Sequence, residues 1–279
     1  MTPSLPPPTV VVGVDGSRAG VSAALWAVDE AVGRGLALRL VAAAGSGSGA
    51  DPDTADTAVR SAAAAVQSCG RPDLPTLQTA VIAAGPTATL LEESRTAAMI
   101  CVGPVGLRHF DRGRLGSTVG ALVAGAGCPV AVVRRGERPE SARPGWVVVE
   151  LDQTPDSATV LQSAVEEARM RGAALRVLGT WQSGDHGDHP AAEADRVVRA
   201  QLDRRLESWT HRYPDLDVEP VAVRGSALGY LTDNSTAIQL VVIGTRNTAG
   251  VGELLGPTGL AALRDTDCSV LVVDRQRML

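Results

Sequence analysis

Residues 14–41, VDGSRAGVSAALWAVDEAVGRGLALRLV, lie without a gap over residues 151–178, LDQTPDSATVLQSAVEEARMRGAALRVL, at a constant offset of 137. Asp15 falls on Asp152, Arg34 on Arg171, Gly35 on Gly172 and Arg39 on Arg176. The match resumes late in each half, where MICVG (99–103) answers LVVIG (240–244) and CPVAVVR (128–134) answers CSVLVVD (268–274). A period this long is beyond that of solenoid repeats, so the chain is two copies of one domain. The reading is a flexible tail over residues 1–9, a first domain over 10–135, a charged, Pro- and Gly-containing linker over 136–145, and a second domain over 146–279.

Within the first copy, apolar runs and helical stripes alternate. Val10–Val14 is continuously apolar, the mark of a strand buried on both faces. Ala19–Arg34 carries Val21, Leu25, Val28 and Val32 at helical spacing. ALRLVAAA is a second strand, Asp53–Cys69 a helix, LQTAVIA a third strand and Pro86–Thr96 a helix with proline in its first turn. MICVG is the fourth strand, Gly116–Gly125 a helix and PVAVVR the fifth strand. The second copy repeats this order. The expected class is therefore α/β: two tandem doubly wound domains, each a parallel sheet with right-handed crossovers and helices on both faces.

Composition narrows the function. Net charge is −5 and aromatic residues are 3 % of the chain, which speaks against nucleic acid as the main partner. All 26 basic residues are arginine, so a Walker-type phosphate lysine and Schiff-base chemistry are excluded. No apolar run reaches the ~20 residues of a membrane helix, and the N-terminus lacks a signal-peptide pattern. The four cysteines have no zinc spacing and read as reduced thiols of a cytoplasmic protein. No catalytic motif stands out: there is no GxSxG, no HExxH and no paired carboxylates.

Two stretches carry chemistry. In an open parallel sheet, ligands collect at the carboxyl ends of the strands, where the strand order reverses. VDGS places Asp15, Gly16 and Ser17 after the first strand. GPVGLRHFDRGRLGST (103–118) follows the fourth, with glycines spaced G-x2-G-x9-G and then Ser-Thr. Gly103 lets a ligand approach the backbone, Gly106 turns the loop, and Gly116 opens a helix whose first amides, beside the Ser117 and Thr118 hydroxyls, suit phosphate. Arg108, Arg112 and Arg114 suit a solvated rim better than specific contacts. Asp15 suits an adenine amine or ribose hydroxyl, or alternatively caps a turn through DGS.

On these motifs the sequence resembles the universal stress protein family, in both halves and over nearly the whole chain. The resemblance implies five strands per domain in the order 3-2-1-4-5, and ATP binding, with or without Mg²⁺, in the first domain. It also implies association through the fifth strands, as a homodimer or as a pseudo-dimer within the chain. By position, Asp15 and the second-strand residue Ala43 would hold the adenine side, Gly103 the ribose, and Gly106, Gly116, Ser117 and Thr118 the phosphates. No catalytic residue and no protein-held metal are assigned. The second copy departs from the pattern. Asn247 stands at the position of Gly106, one residue is missing before Gly256, and Pro257 replaces Ser117 and removes an amide. That half is expected to bind ATP weakly or not at all and to be mainly structural. A regulatory ATP-binding protein is the leading expectation. The alternatives are a slow ATPase or a phosphoryl or adenylyl transferase, and a nucleotide-free dimerisation module. His186 and His189 in DHGDHP read as a polar loop, and Trp26, Trp181 and Trp209 as packing residues.

Overall fold

Val10, Val11 and Val12 are at most 1 % exposed, as an apolar run with no polar alternation requires of a central parallel strand. The computed structural model describes residues 7–45, 51–104, 116–134, 145–152, 157–182, 190–263, 266 and 268–274. The chain divides into two units, residues 1–135 with 276–279, and residues 136–275.

In the first unit, β1 (Thr9–Gly13), β2 (Ala37–Ala43), β3 (Leu77–Ile82), β4 (Met99–Val102) and β5 (Val130–Val132) form a parallel sheet in the order β3-β2-β1-β4-β5. The order turns back between β1 and β4. Helix α1 (Arg18–Arg34) lies against β1, β2 and β4, and α2 (Pro52–Gln67) packs beside it on β2 and β3. Helices α3 (Pro86–Glu93) and α4 (Ser117–Gly125) pack together; α3 also contacts β1 and β2, and α4 contacts β5. The expected strands and helices are all present, with ends shifted by up to three residues.

The ends of α1 are set by local chemistry. Asp15 Oδ1 accepts the Ser17 amide at 3.0 Å, closing a turn in which Gly16 takes φ 83°, a conformation costly for residues with a Cβ. Ser17 then caps the helix, its Oγ accepting the Gly20 amide at 3.0 Å. At the other end, Gly35 is left-handed and its amide reaches the Val32 carbonyl. Near that end Glu30 is fully buried and pairs with Arg34 at 3.2 Å.

The second unit repeats the design. Strands β6 (Trp146–Glu150), β7 (Leu175–Trp181), β8 (Val218–Arg224), β9 (Ile238–Gly244) and β10 (Ser269–Val273) run parallel in the order β8-β7-β6-β9-β10. Helices α5 (Ser157–Met170), α6 (Ala191–Arg212) and α7 (Ala227–Asp233) match α1, α2 and α3 in order. The buried acid recurs as Glu167, fully buried and 3.1 Å from Arg171. One difference is new. Residues after β9 form two short helices, α8 (Thr248–Leu255) and α9 (Pro257–Ala262), where sequence suggested a loop and one helix. Asn247 caps α8 by accepting the Gly250 amide at 2.9 Å.

Candidate functional site

The register of the first sheet brings the sequence-derived residues to one edge. Gly13 pairs with Val41, and the Val14 amide donates to the Val41 carbonyl at 2.9 Å, so Asp15 emerges beside the end of β2, where Ala43 is half-buried. On the other side of β1, Val12 pairs with Cys101. Gly103 therefore leaves β4 next to the end of β1. Asp15, Ala43 and Gly103 thus share the carboxyl edge at the point where the strand order reverses, the usual ligand crevice of such sheets.

The helix that follows is tied to the same place. The Gly116 amide donates to the Pro104 carbonyl at 3.2 Å, which sets the start of α4 beside Gly103. Gly116 is the N-cap, with φ −59° and ψ 143°, and no side chain caps the helix. The first turn contains Ser117, exposed, and Thr118, half-buried. Amides at such a terminus carry the positive end of the helix dipole. A hydroxyl from α3 reaches the same turn: Thr87 Oγ1 lies 3.4 Å from Thr118 Oγ1. Helix α3 also starts from a glycine, Gly85, with no side-chain cap. Thr87 was not singled out from sequence, although GPT before an apolar helix was the available signal. Gly106 and the loop residues Arg108, His109, Phe110, Arg112 and Arg114 lie outside the described residues, as do His186 and His189.

Gly103 has a second explanation. A Cβ there would stand 2.6 Å from Ala19 Cβ and 2.9 Å from the Ala19 carbonyl carbon. The first turn of α1 lies where a Cβ on Gly103 would stand, so packing alone also calls for glycine here. Asp15 likewise has an internal task in the turn before α1. Among the described residues there is no group of three potential metal ligands, and no helix is long and apolar enough to cross a membrane.

The profile of the Universal stress protein family matches residues 8–134 and 146–274. The chain belongs to the universal stress protein family. Both units are universal stress protein domains in tandem. Universal stress protein Rv2028c of Mycobacterium tuberculosis is 39 % identical over 287 residues, covering 99 % of each chain. Universal stress protein Rv3134c of the same organism is 40 % identical over 256 residues, covering 87 % of this chain and 90 % of its own. Among solved structures, a universal stress protein from Archaeoglobus fulgidus aligns over 96 % of both chains with TM-score 0.66 and 14 % identity, a likeness of fold.

The second universal stress protein domain has a different crevice. Glu150 ends β6 at the position that Gly13 holds in β1. Its carboxylate accepts Thr180 Oγ1 at 3.1 Å and Asn247 Nδ2 at 2.9 Å. Thr180 aligns with Ala43 and Asn247 with Gly106. Burial pushes the Glu150 carboxyl above its ordinary value; these two hydrogen bonds oppose the rise, and the Glu253 and Asp152 carboxylates add to it. Sequence reading passed over Glu150 because a charged residue after VVV looks like a strand end. Its signal was the gapless repeat, which sets a carboxylate against a glycine.

Proposed function

We propose that the first unit binds ATP at the carboxyl edge of its sheet and that binding regulates the protein. The observation that carries this reading is the start of α4: a helix terminus with no side-chain cap, flanked by Ser117 and Thr118, beside the switch point between β1 and β4. Such a terminus attracts phosphate through its amides and dipole. In this reading Gly106, Gly116, Ser117 and Thr118 hold phosphates, Gly103 borders the ribose, and Asp15 and Ala43 flank the adenine. The Ser17 amide, donating to Asp15 Oδ1, fixes the orientation of the Asp15 carboxylate. Mg²⁺ arrives on the phosphates, which supply the oxygen ligands this cation prefers. The second unit is mainly structural.

Regulation follows from unequal affinity. ATP shifts only an equilibrium between states that bind it differently, so regulation rests on two states of unequal ATP affinity. Association through the fifth strands and residence in the cytoplasm belong to the same proposal. The testing experiment is a titration of the nucleotide-stripped chain with ATP and Mg²⁺, repeated on Gly116→Val. Saturable binding lost in the variant supports the site; equal binding by both proteins removes it.

A further inference from the structure

The two units carry different residues at the end of their first strand. In the first unit the last residue of β1 is Gly13, and a Cβ there would press on Leu90 Cδ1 at 2.7 Å and Val102 Cγ1 at 3.2 Å. In the second unit the same position carries Glu150, whose carboxylate spans from the end of β7, through Thr180, to the start of α8, through Asn247. Asn247 is used twice, because its Oδ1 caps α8 while its Nδ2 donates to Glu150. An anionic side chain thus already holds donors at both sides of the crevice mouth. At the junction of α8 and α9, a Cβ on Gly256 would meet the Gly252 carbonyl oxygen. The negative end of α8 therefore faces the N-cap of α9.

We propose that Glu150 is the specificity residue that closes the second crevice to nucleotides: its carboxylate takes the donors and the space at the crevice mouth and repels phosphate. This rests on the nucleotide reading of the first unit. Physically, a carboxylate already hydrogen-bonded and partly desolvated is costly to displace and repels a polyphosphate at short range through a low-dielectric site. Glu253 and Asp152 act on Glu150 with the same sign. Without the carboxylate, Thr180 and Asn247 offer donors to an incoming ligand.

The test is residue-resolved NMR of the full chain titrated with ATP and Mg²⁺, as wild type and as Glu150→Ala. In the wild type, signals of Thr180 and Asn247 stay still while those of Ala43, Ser117 and Thr118 move. In Glu150→Ala, the signals of Thr180 and Asn247 also move and saturate, a gain of at least about tenfold in apparent affinity at that site. The proposal is overturned if they stay still in the variant, or if they already move in the wild type. Glu150→Gly, which restores the residue found at the matching position of the first unit, serves with the same criteria should the alanine variant fail to fold. Still signals at Ser117 and Thr118 in the wild type refute the proposed function of the first unit instead, and leave the comparison at Thr180 and Asn247 decisive for Glu150.

Discussion

Two glycines of one motif should respond to substitution in opposite ways. At Gly103 a Cβ would stand 2.6 Å from Ala19 Cβ, 2.9 Å from the Ala19 carbonyl carbon and 3.1 Å from its oxygen. Carbon atoms at rest keep about 3.5–4.0 Å, so Gly103→Ala forces α1 and β4 apart by a sizeable fraction of an ångström. Two of the three opposing atoms are backbone and cannot rotate away. Overpacking of this kind costs about 1–3 kcal/mol, which for a unit of this size lowers Tm by about 3–10 °C. At Gly116 the nearest atom to an added Cβ is the Pro104 oxygen at 3.7 Å, and φ is ordinary. Gly116→Ser therefore fits, and its hydroxyl supplies the missing cap for a gain of a few tenths of a kcal/mol. The same hydroxyl competes with phosphate for the α4 amides. Calorimetric unfolding paired with ATP titration reads both quantities. Gly103→Ala should lower the transition of the first unit; Gly116→Ser should hold or raise it while weakening ATP. A Gly103→Ala transition within about 1 °C of wild type would refute the packing argument. Unchanged ATP affinity in Gly116→Ser would refute the role of the amides.

Other outcomes follow from single contacts. Ser17→Ala removes the buried cap of α1 and should cost about 1 kcal/mol in urea unfolding of the first unit. Arg39 makes two 3.0 Å hydrogen bonds to Glu93, joining β2 to the end of α3, and Arg39→Ala should lower stability by about 1 kcal/mol, less in high salt. Glu150 has a folded pKa raised by burial, so its contribution is full below the unfolded value and is lost as pH rises through the folded one. The second unit should thus lose stability from this group as pH rises above the ordinary carboxylate range. Glu150→Gln should flatten that dependence, checked by urea unfolding at several pH values; an unchanged slope contradicts it.

The fold was legible because its central strands are buried on both faces. VVV, MICV and LVVIG have no polar interruption, and the repeat fixes two domains before any strand is assigned. The ends of α1 were equally plain, since a DGS turn and a glycine after Arg34 have local causes. The site was legible only as far as its chemistry is local. The uncapped start of α4 follows from Gly-Ser-Thr, but its contact with Thr87 depends on how α3 and α4 pack. The packing role of Gly103 was not legible, because a glycine at a strand end suits a ligand and a neighbouring helix alike, and only the position of Ala19 reveals the helix contact. Helix α8 was hidden by Gly250 and Gly252, which resemble loop residues. Gly250 instead lies close to Ile243, where an added Cβ would come within 2.8 Å of Ile243 Cδ1. Such close approaches are properties of three-dimensional packing and leave no periodic trace in the sequence.

One nucleotide site is expected in this chain of two like domains. Isothermal titration of the nucleotide-stripped full chain with ATP and Mg²⁺ tests it most directly, through the stoichiometry. One ATP per chain is the expected result. Two per chain would show that Glu150, Asn247 and Pro257 do not close the second crevice, and no binding at millimolar ATP would remove the nucleotide site from the first.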